Sequence, residues 1–249
     1  MSSYIVIPAR LRSTRLPEKL LLAETGKPLI QHTYEAARQA QLPAGICVAA
    51  DDERIAAAVQ GFGGKVVLTD PAAPSGTDRV AEVARELHEI DIIVNVQGDE
   101  PEISGALIDQ VVQLLENQPG AVMATLATPI RRRQQLEDPA CVKVVFDDQG
   151  KALYFSRSVI PHPRQWDDAM LDSETGCFFQ HIGLYAYRRD FLLHLAQLPP
   201  AALECVESLE QLRVLAAGET ILVGVCDEPT VGVDTEEDYR AFVRRHQKE

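Results

Sequence analysis

A basic loop near the amino terminus is the first feature of this sequence that could do chemistry. Residues 8–19 directly follow the apolar run at 4–7, and Glu18 is the only anionic residue among them. Its four cationic residues are Arg10, Arg12, Arg15 and Lys19. Arginine forks and lysine ammonium groups bind phosphate oxygens. The loop lacks the glycine spacing of a Walker A or dinucleotide motif, so we expect side chains to hold the anion. The alternative is a solvated basic loop.

Two carboxylates follow apolar runs and could hold a divalent cation. Asp99 lies in NVQGDEP, directly after the apolar residues 92–94, and Asp234 lies in GVDTEE near the carboxyl terminus. Carboxylates at strand ends are well placed to hold Mg²⁺ against phosphate oxygens. Two alternatives stay open: Asp99 belongs to an ordinary turn, or Asp234 or Thr235 is the N-cap of the last helix.

A third motif, PSGTDR at residues 74–79, precedes a helical segment. Small hydroxyl residues and a glycine, here Ser75, Gly76 and Thr77, allow backbone groups to approach a base or a ribose closely. An ordinary helix start would carry the same residues, so the motif alone leaves both interpretations open.

Covalent catalysis by a serine triad finds no support. The sequence contains neither a G-x-S-x-G elbow nor a Ser-His-Asp order. Among the six histidines only His181, beside Gln180 at the start of an apolar run, is a candidate. A lone histidine in a strand is more often structural, so the residues favour anion and metal chemistry.

These motifs need a scaffold, and the first half of the chain predicts one of alternating strands and helices. Predicted strands cover residues 4–7, 46–49, 65–69, 91–96 and 121–127, and predicted helices cover about 28–40, 54–62, 78–88 and 104–116. Near-continuous valine and isoleucine runs separated by helices are typical of a parallel sheet covered on both faces. The sequence therefore predicts an α/β fold with right-handed crossovers.

The pattern changes after about residue 129. Residues 142–146 and 152–156 flank the turn DDQG, which predicts a β-hairpin. Later predicted elements are a strand at 181–189, a helix at 207–217, a strand at 221–225 and a helix at 236–246. We expect a single domain over residues 1–249, in which about 129–205 form an elaboration.

The composition of the chain argues against several classes of function. The chain has 249 residues, 46% hydrophobic and 24% charged, with a net charge of −13, as in a soluble globular protein. Such an acidic chain is a poor partner for nucleic acid or for an anionic membrane. No apolar run reaches membrane length, and the amino terminus lacks the pattern of a signal peptide. The five cysteines form no CxxC pair, so we expect a reducing cytoplasm.

Taken in order, the motifs resemble those of nucleotidyltransferases that activate sugars, in particular the 3-deoxy-manno-octulosonate (KDO) cytidylyltransferase family. The matching segments are IPAR (7–10), STRLP (13–17) with Lys19, SGTDR (75–79), NVQGDEP (95–101), MATL (123–126), VKVV (142–145), ALYFSR (152–157), HIGLY (181–185), LEQLR (209–213) and GVDT (232–235). They span nearly the whole chain. CMP-sialate synthetases have a similar opening, but NVQGDEP and LYFSR favour the KDO family.

The resemblance implies a fold and a reaction. The fold is Rossmann-like, with a mostly parallel sheet flanked by helices (the nucleotide-diphospho-sugar transferase fold) and a β-hairpin elaboration. The reaction is CTP + KDO → CMP-KDO + pyrophosphate, dependent on Mg²⁺ and supplying the sugar for lipopolysaccharide. The family is commonly dimeric through the hairpin region, so a homodimer through 142–157 is expected. The chain has IPHP at 160–163 where many relatives have IPW, a difference that bears on recognition of the distal part of the sugar. The alternative acceptors are 8-amino-KDO and another sugar acid such as a sialic acid.

The resemblance also implies roles for individual residues. The expected catalytic residues are Arg10, Arg15, Lys19, Asp99 and Asp234; the two aspartates hold Mg²⁺ and the three cations hold the triphosphate. The expected nucleotide-binding residues are Pro8, Ala9, Arg10, Arg15, Lys19, Ser75, Gly76, Thr77 and Arg79. The expected sugar-binding residues are Gln97, Arg157, His181, Tyr185, Glu210 and Gln211. Arg157 is the expected partner of the sugar carboxylate, because its fork matches that group.

Overall fold

A computed structural model describes residues 1–172, 176–227 and 231–246 of the chain. Its strands are β1 (Ser3–Ala9), β2 (Ile46–Ala50), β3 (Val66–Leu68), β4 (Ile92–Asn95), β5 (Met123–Pro129), β6 (Lys143–Phe146), β7 (Ala152–Ser156), β8 (Phe179–Arg188) and β9 (Ile221–Val225). Seven of them run across one sheet in the order β3-β2-β1-β4-β8-β5-β9, and the β6–β7 hairpin joins it through β8.

Helices connect these strands and cover the sheet. They are α1 (Leu29–Ala37), α2 (Glu53–Gly61), α3 (Gly76–Glu86), α4 (Gly105–Asn117), α5 (Arg133–Glu137), α6 (Ala169–Asp172), α7 (Arg189–Leu195), α8 (Ala202–Glu207), α9 (Gln211–Ala216) and α10 (Glu236–His246). A 3₁₀ turn spans Lys19–Leu21. Within the described part of the chain, no helix is long and apolar enough to cross a membrane.

Parallel pairing brings the ends of the first strands together. β1 lies between β2 and β4, and its Val6 is in register with Cys47 of β2 and Asn95 of β4. The segments that follow β1 and β4 therefore leave the sheet at the same edge, where open α/β sheets bind ligands. This register explains why the basic loop and the NVQGDEP segment meet.

One strand runs against this order. β8 inserts antiparallel between β4 and β5, with Tyr185 opposite both Asn95 and Thr125. Because β8 runs the other way, its first residues extend beyond the carboxyl end of β4. His181 and Gly183 therefore reach the edge that carries the basic loop.

The core lies on both faces of the sheet, because side chains alternate along each strand. Ile5 and Ile7 of β1 belong to the apolar cluster on the face of α1, α4 and α10. Val6 points the other way, into a cluster with residues of α3, α7 and α9. The helices thus cover both faces, as the sequence predicts.

The hairpin elaboration forms where the sequence predicts it. Gly150 closes the β6–β7 turn with a φ of 76°, a left-handed conformation that glycine adopts without strain. Lys143 of β6 is in register with Gln180 of β8, so the hairpin extends the main sheet. The single-domain organisation over 1–249 stays a prediction.

One predicted helix is wrong. The segment 207–217 is divided into α8 and α9, because Ser208 takes a left-handed conformation with a φ of 53° at the end of α8. The helical pattern of α9 begins only at Gln211. Helices α5 and α6 have five and four residues, too few for a helical period to be visible in the sequence.

Candidate functional site

The basic loop is anchored by its apolar residues, which leaves its cations available. Leu11, Leu16 and Leu20 are buried in the core. The backbone N–H of Leu11 donates to Oδ1 of Asp51 at 2.8 Å, which ties the loop to the end of β2. A loop fixed in this way leaves its three arginines exposed, while Lys19 is only partly exposed.

An open cleft of about 390 Å³ lies beside this loop. It is lined by Pro8, Arg10, Arg12, Ser13, Thr14, Arg15, Lys19, Leu20, Gly76, Gln97, Gly98, Asp99 and Asp234. The five residues expected to be catalytic all line it. Distant parts of the sequence are therefore brought together here, while their catalytic roles stay predictions.

Gly98 lines the cleft and packs tightly against β1. A Cβ atom at this position would lie 3.0 Å from the carbonyl oxygen of Pro8, so a larger residue would force this backbone to shift by a few tenths of an ångström. The carbonyl oxygen of Gly98 accepts a 2.9 Å hydrogen bond from the buried hydroxyl of Thr33. Tight backbone packing therefore fixes Asp99, the next residue, at the cleft.

A charge cluster joins the loop to the two carboxylates. Lys19 Nζ donates to Asp99 Oδ2 at 2.5 Å, to Asp234 Oδ1 at 3.1 Å and to the carbonyl oxygen of Val233 at 3.1 Å. Arg15 Nη2 donates to the same oxygen of Asp234 at 2.8 Å. Two cations thus face two anions in one part-buried cluster.

Asp234 reaches this cluster because a neighbour caps the helix. The N–H of Asp238 donates to Thr235 Oγ1 at 3.2 Å, and that hydroxyl donates to Asp238 Oδ2 at 2.7 Å. Thr235 is therefore the N-cap of α10. In addition, the N–H of Val233 donates to the carbonyl oxygen of Asp99 at 2.8 Å, which holds the two aspartate-bearing segments side by side.

The donor set of Asp99 and Asp234 fits Mg²⁺. Their carboxylate oxygens are hard donors that already converge on one cation, the ammonium of Lys19. Among residues 1–172, 176–227 and 231–246, no group of three or more metal-binding side chains is present. A site built on these two carboxylates would therefore complete its coordination with phosphate oxygens and water, as Mg²⁺ sites commonly do.

The predicted nucleotide residues of α3 divide into two groups. Ser75 caps the helix, since its Oγ accepts from the N–H of Asp78 at 3.2 Å, and Thr77 Oγ1 donates to Glu210 Oε2 at 2.5 Å. Arg79 is fully buried and donates to Thr69 Oγ1 at 2.5 Å and to the carbonyl oxygen of Asp70 at 3.1 Å. It braces the loop before α3 and does not line the cleft, so its contact with nucleotide stays a prediction.

Two predicted sugar residues lie together in β8. His181 is buried, and its Nε2 lies 3.0 Å from Thr125 Oγ1. The rings of His181 and Tyr185 are 5.4 Å apart. Burial lowers the pKa of His181 to about 3, and burial together with the charges of Glu210 and Glu100 raises the pKa of Tyr185. Both side chains are therefore neutral around pH 7.

Glu100, which the sequence analysis did not single out as a functional residue, lies close to both the charge cluster and β8. It is buried, and the burial, with the charges of Asp99 and Asp234, raises its pKa to about 8. A Cβ atom on Gly183 would lie 3.7 Å from Glu100 Oε1 and 3.9 Å from Gln97 Cγ. Its position beside Asp99 was the only signal in the sequence.

Arg157 is placed apart from the cleft. Its Nε donates to the carbonyl oxygen of Glu207 at 2.7 Å, Nη1 to that of Pro139 at 3.1 Å and Nη2 to that of Ser208 at 3.4 Å. The guanidinium therefore holds the end of β7 to the segment after α8. Its assignment to the sugar carboxylate stays a prediction, and any such contact must compete with these carbonyls.

Glu210 and Gln211, also expected to bind the sugar, lie nearer the nucleotide motif. They line a narrow recess with Ser75, Thr77 and Tyr187. The predicted sugar residues thus fall into three places: Gln97 at the cleft, His181 and Tyr185 in β8, and Glu210 and Gln211 against α3. Arg157 belongs to none of them.

Comparison with known proteins identifies the family. A family model described as "Cytidylyltransferase" matches residues 4–221. The chain is 52% identical to the 3-deoxy-manno-octulosonate cytidylyltransferase of Rhodopirellula baltica, over 98% of both chains. This chain belongs to the KDO cytidylyltransferase family. The resemblance found in the motifs is confirmed, and the chain is a nucleotidyltransferase.

Two further relatives add to this identification. A solved structure of CMP:2-keto-3-deoxy-manno-octonic acid synthetase complexed with CTP has a TM-score of 0.91 and 42% identity, over 100% of this chain and 99% of the other. The 8-amino-3,8-dideoxy-manno-octulosonate cytidylyltransferase of Shewanella baltica is 45% identical over 98% of both chains. The predicted fold class is confirmed by the first, and the second shows that this family includes more than one named acceptor.

Proposed function

We propose that this protein transfers CMP from CTP to KDO, releasing pyrophosphate, in a reaction that depends on Mg²⁺ and serves lipopolysaccharide synthesis. The observation that carries the proposal is the Lys19–Asp99–Asp234 cluster at the mouth of a basic cleft. The full-length similarity to a structure that holds CTP supports the choice of nucleotide.

The cationic residues of the cleft would hold the triphosphate. Arg10, Arg15 and Lys19 line one cavity, where their donors can bind phosphate oxygens. Negative charge grows on the pyrophosphate as it leaves, and cations held against it would stabilise that charge more in the transition state than in the ground state. This electrostatic effect is the main contribution we assign to the basic loop.

Asp99 and Asp234 would hold the Mg²⁺ ion. When bound, this ion supplies positive charge that neutralises the α-phosphate. A hydroxyl of the sugar would attack the α-phosphorus in line and release its proton to solvent. A new P–O bond forms, and the bond between the α-phosphorus and the oxygen it shares with the β-phosphate breaks as pyrophosphate leaves. Such a transfer needs positioning and charge stabilisation and no covalent protein nucleophile.

The sugar acid would lie between the cleft and β8. Gln97 lies at the cleft, and neutral His181 and Tyr185 offer hydrogen-bonding groups from the strand that passes it. Glu210 and Gln211 would bind hydroxyl groups from the side of α3. Arg157 is assigned to the sugar carboxylate by the charge and fork geometry of its guanidinium.

We also propose a homodimer formed through the hairpin. Leu153 of β7 and Val206 of α8 are 62% and 82% exposed, unusually high for apolar side chains. The two elements are joined, because Ser156 Oγ donates to Glu207 Oε1 at 2.6 Å. A dimer would cover these side chains, and light scattering during gel filtration would measure its mass.

The cytoplasm is the proposed location. Cys47 and Cys141 are buried free thiols, and burial raises the pKa of both. Cys205 is an exposed free thiol. Free thiols persist in a reducing compartment, which is consistent with this location.

Pyrophosphate release tests the proposed reaction. The purified protein with CTP and Mg²⁺ receives KDO, 8-amino-KDO or N-acetylneuraminate in separate reactions. We expect release with KDO, and replacement of CTP by UTP, ATP or GTP should abolish most of it. Release only with 8-amino-KDO would correct the acceptor, and no release with any acid would contradict the proposed enzyme function.

A further inference from the structure

We infer that Lys19 blocks the metal-binding carboxylates by pairing with them. A metal ion then binds them strongly only after Lys19 has moved from the carboxylates to the triphosphate. The inference deepens the proposed function and rests on it for the identity of the nucleotide and of the metal carboxylates. Lys19 would pair with the two carboxylates before the nucleotide binds and with phosphate oxygens afterwards.

The ammonium of Lys19 lies between the two carboxylates that would share a metal ion. It lies 2.5 Å from Asp99 Oδ2 and 3.1 Å from Asp234 Oδ1, so it stands between the two carboxylates. Its third contact, at 3.1 Å, is the carbonyl oxygen of Val233. An ammonium has three donors, and these three contacts satisfy all of them. All three donors of Lys19 are thus bound at the two carboxylates that would hold the ion.

The charges of the cluster also oppose binding of a metal ion while Lys19 is in place. Arg15 contacts the same oxygen of Asp234 at 2.8 Å, so the two carboxylates are matched by two cations. The Lys19 side chain is only 12% exposed, and Asp99 is 28% exposed, so solvent screens their interaction incompletely. A divalent cation that approaches this cluster meets carboxylates whose charge is already balanced and whose shared space is filled.

The cleft provides a way to release Lys19. Arg10, Arg12 and Arg15 line the same cavity, so a triphosphate held there brings oxygen acceptors close to the ammonium. A lysine carries its charge on a flexible four-carbon stem and can exchange one acceptor for another. Transfer of the ammonium to phosphate would free both carboxylates. The nucleotide would then strengthen binding of the metal ion, and the metal ion would strengthen binding of the nucleotide by the same factor, because coupling between two binding sites is reciprocal.

Metal binding with and without nucleotide tests this inference. Mn²⁺ serves as the probe for the Mg²⁺ site, and electron paramagnetic resonance measures the protein-bound ion. The nucleotide is a CTP analogue with a methylene bridge between the α and β phosphorus atoms, which cannot release pyrophosphate. The variants are Lys19→Met, which keeps the length of the side chain without its charge, and Lys19→Gln, in case the first does not fold. Lys27→Met is the matched control, because Lys27 pairs with Glu35 at 2.7 Å on the surface and does not line the cleft.

We expect Lys19→Met to bind Mn²⁺ at least tenfold more tightly than the wild type when no nucleotide is present, a gain of about 1.4 kcal/mol. Lys27→Met should match the wild type. The analogue should tighten Mn²⁺ binding strongly in the wild type and much less in Lys19→Met, because that variant has no ammonium to move. Equal or weaker Mn²⁺ binding by Lys19→Met without nucleotide would overturn the inference.

Asp99→Asn in the Lys19→Met background identifies the site that is measured. We expect this second change to remove the gain in Mn²⁺ affinity, and an unchanged affinity would place the ion elsewhere and overturn the inference. Pyrophosphate release by the wild type is measured separately. If the wild type turns over CTP but Lys19→Met shows no gain in Mn²⁺ affinity, the proposed function stands and the proposed blocking role of Lys19 is wrong.

Discussion

Two lysines of this protein each donate to three acceptors, but the acceptors differ in kind. Lys143 in the hairpin is fully buried, and its Nζ donates to the carbonyl oxygens of Asp138, Cys141 and Arg157 at 2.9, 2.6 and 2.6 Å. Lys19 in the cleft contacts two carboxylates and one carbonyl. Carbonyls belong to the backbone and cannot leave, whereas carboxylates can exchange an ammonium for another cation. The hairpin lysine is therefore structural, and the cleft lysine is available to ligands.

The arginines of the two regions follow the same division. The side chain of Arg15 is 64% exposed and contacts Asp234 through one nitrogen. Arg157 uses three nitrogens on three backbone carbonyls. Both have the fork that binds an anion, but only Arg15 presents it to the cleft. The kind of acceptor that a cation contacts thus distinguishes ligand-binding residues from residues that hold the scaffold.

The largest effect is expected at the cleft. Asp99→Asn removes one charge of the cluster, and we expect turnover to fall at least about 100-fold because charge stabilisation of the transition state is lost. The melting temperature should remain within a few degrees of the wild type, since Asp99 is partly exposed. Steady-state pyrophosphate release and a thermal melt measure the two quantities. Turnover near the wild-type rate would remove Asp99 from the metal role.

In the hairpin the expected loss is in stability. Lys143→Met leaves the carbonyl oxygens of Cys141 and Arg157 without their lysine donor, while that of Asp138 keeps the N–H of Cys141 at 3.2 Å. We expect the free energy of unfolding to fall by about 3 kcal/mol. Lys19→Met is the matched comparison and should change it by less than about 1 kcal/mol, because its carboxylate partners remain in contact with water. Urea unfolding measures both. Equal losses in the two variants would contradict the distinction between these lysines.

His181, which lies in β8 between the cleft and the hairpin, should make the free energy of unfolding depend on pH. Its pKa is about 3 in the folded state, below the 6.5 of an unperturbed histidine, so the unfolded state binds a proton first as the pH falls. The contribution of His181 to the free energy of unfolding is therefore present above pH 6.5 and is lost progressively as the pH falls toward 3. From pH 7 to pH 5 this amounts to about 2 kcal/mol. His181→Gln should lose less than the wild type over this interval, and an equal loss in both would show that His181 is not the group responsible.

The smallest effect is expected from Arg157→Ala. Loss of its hydrogen bonds to backbone carbonyls should lower the free energy of unfolding by about 1–2 kcal/mol. The KM for CTP should remain within twofold of the wild type, because Arg157 does not line the cleft. A rise confined to the KM for the sugar acid would agree with the expected role at the carboxylate, and a matching rise for CTP would contradict it. Arg157→Lys is the conservative control.

Local patterns predicted much of this molecule. The bounds of β9 and α10 agree with the sequence, because apolar alternation and helix capping are local properties. The meeting of the basic loop with Asp99 follows from parallel strands, whose carboxyl ends share one edge. The insertion of β8 between β4 and β5 could not be predicted, because it depends on contacts between residues distant in the sequence.

The site shows the same limit. Residue type indicated that Arg157 could bind a carboxylate, but its carbonyl partners come from Pro139, Glu207 and Ser208, which the fold alone brings to it. The burial of Glu100 beside a partly exposed Asp99 is likewise a result of packing. Residue types therefore predicted which groups could act, and the tertiary structure decides which of them can reach a ligand.

Phosphorus NMR of the complete reaction tests the central claim most directly. With CTP, KDO and Mg²⁺, we expect the three resonances of CTP to disappear while one phosphodiester resonance and one pyrophosphate resonance appear in equal molar amounts. The same mixture with Asp99→Asn should retain its CTP. Formation of CDP and inorganic phosphate, or of CMP without a phosphodiester of the sugar, would contradict cytidylyl transfer as the function of this cleft.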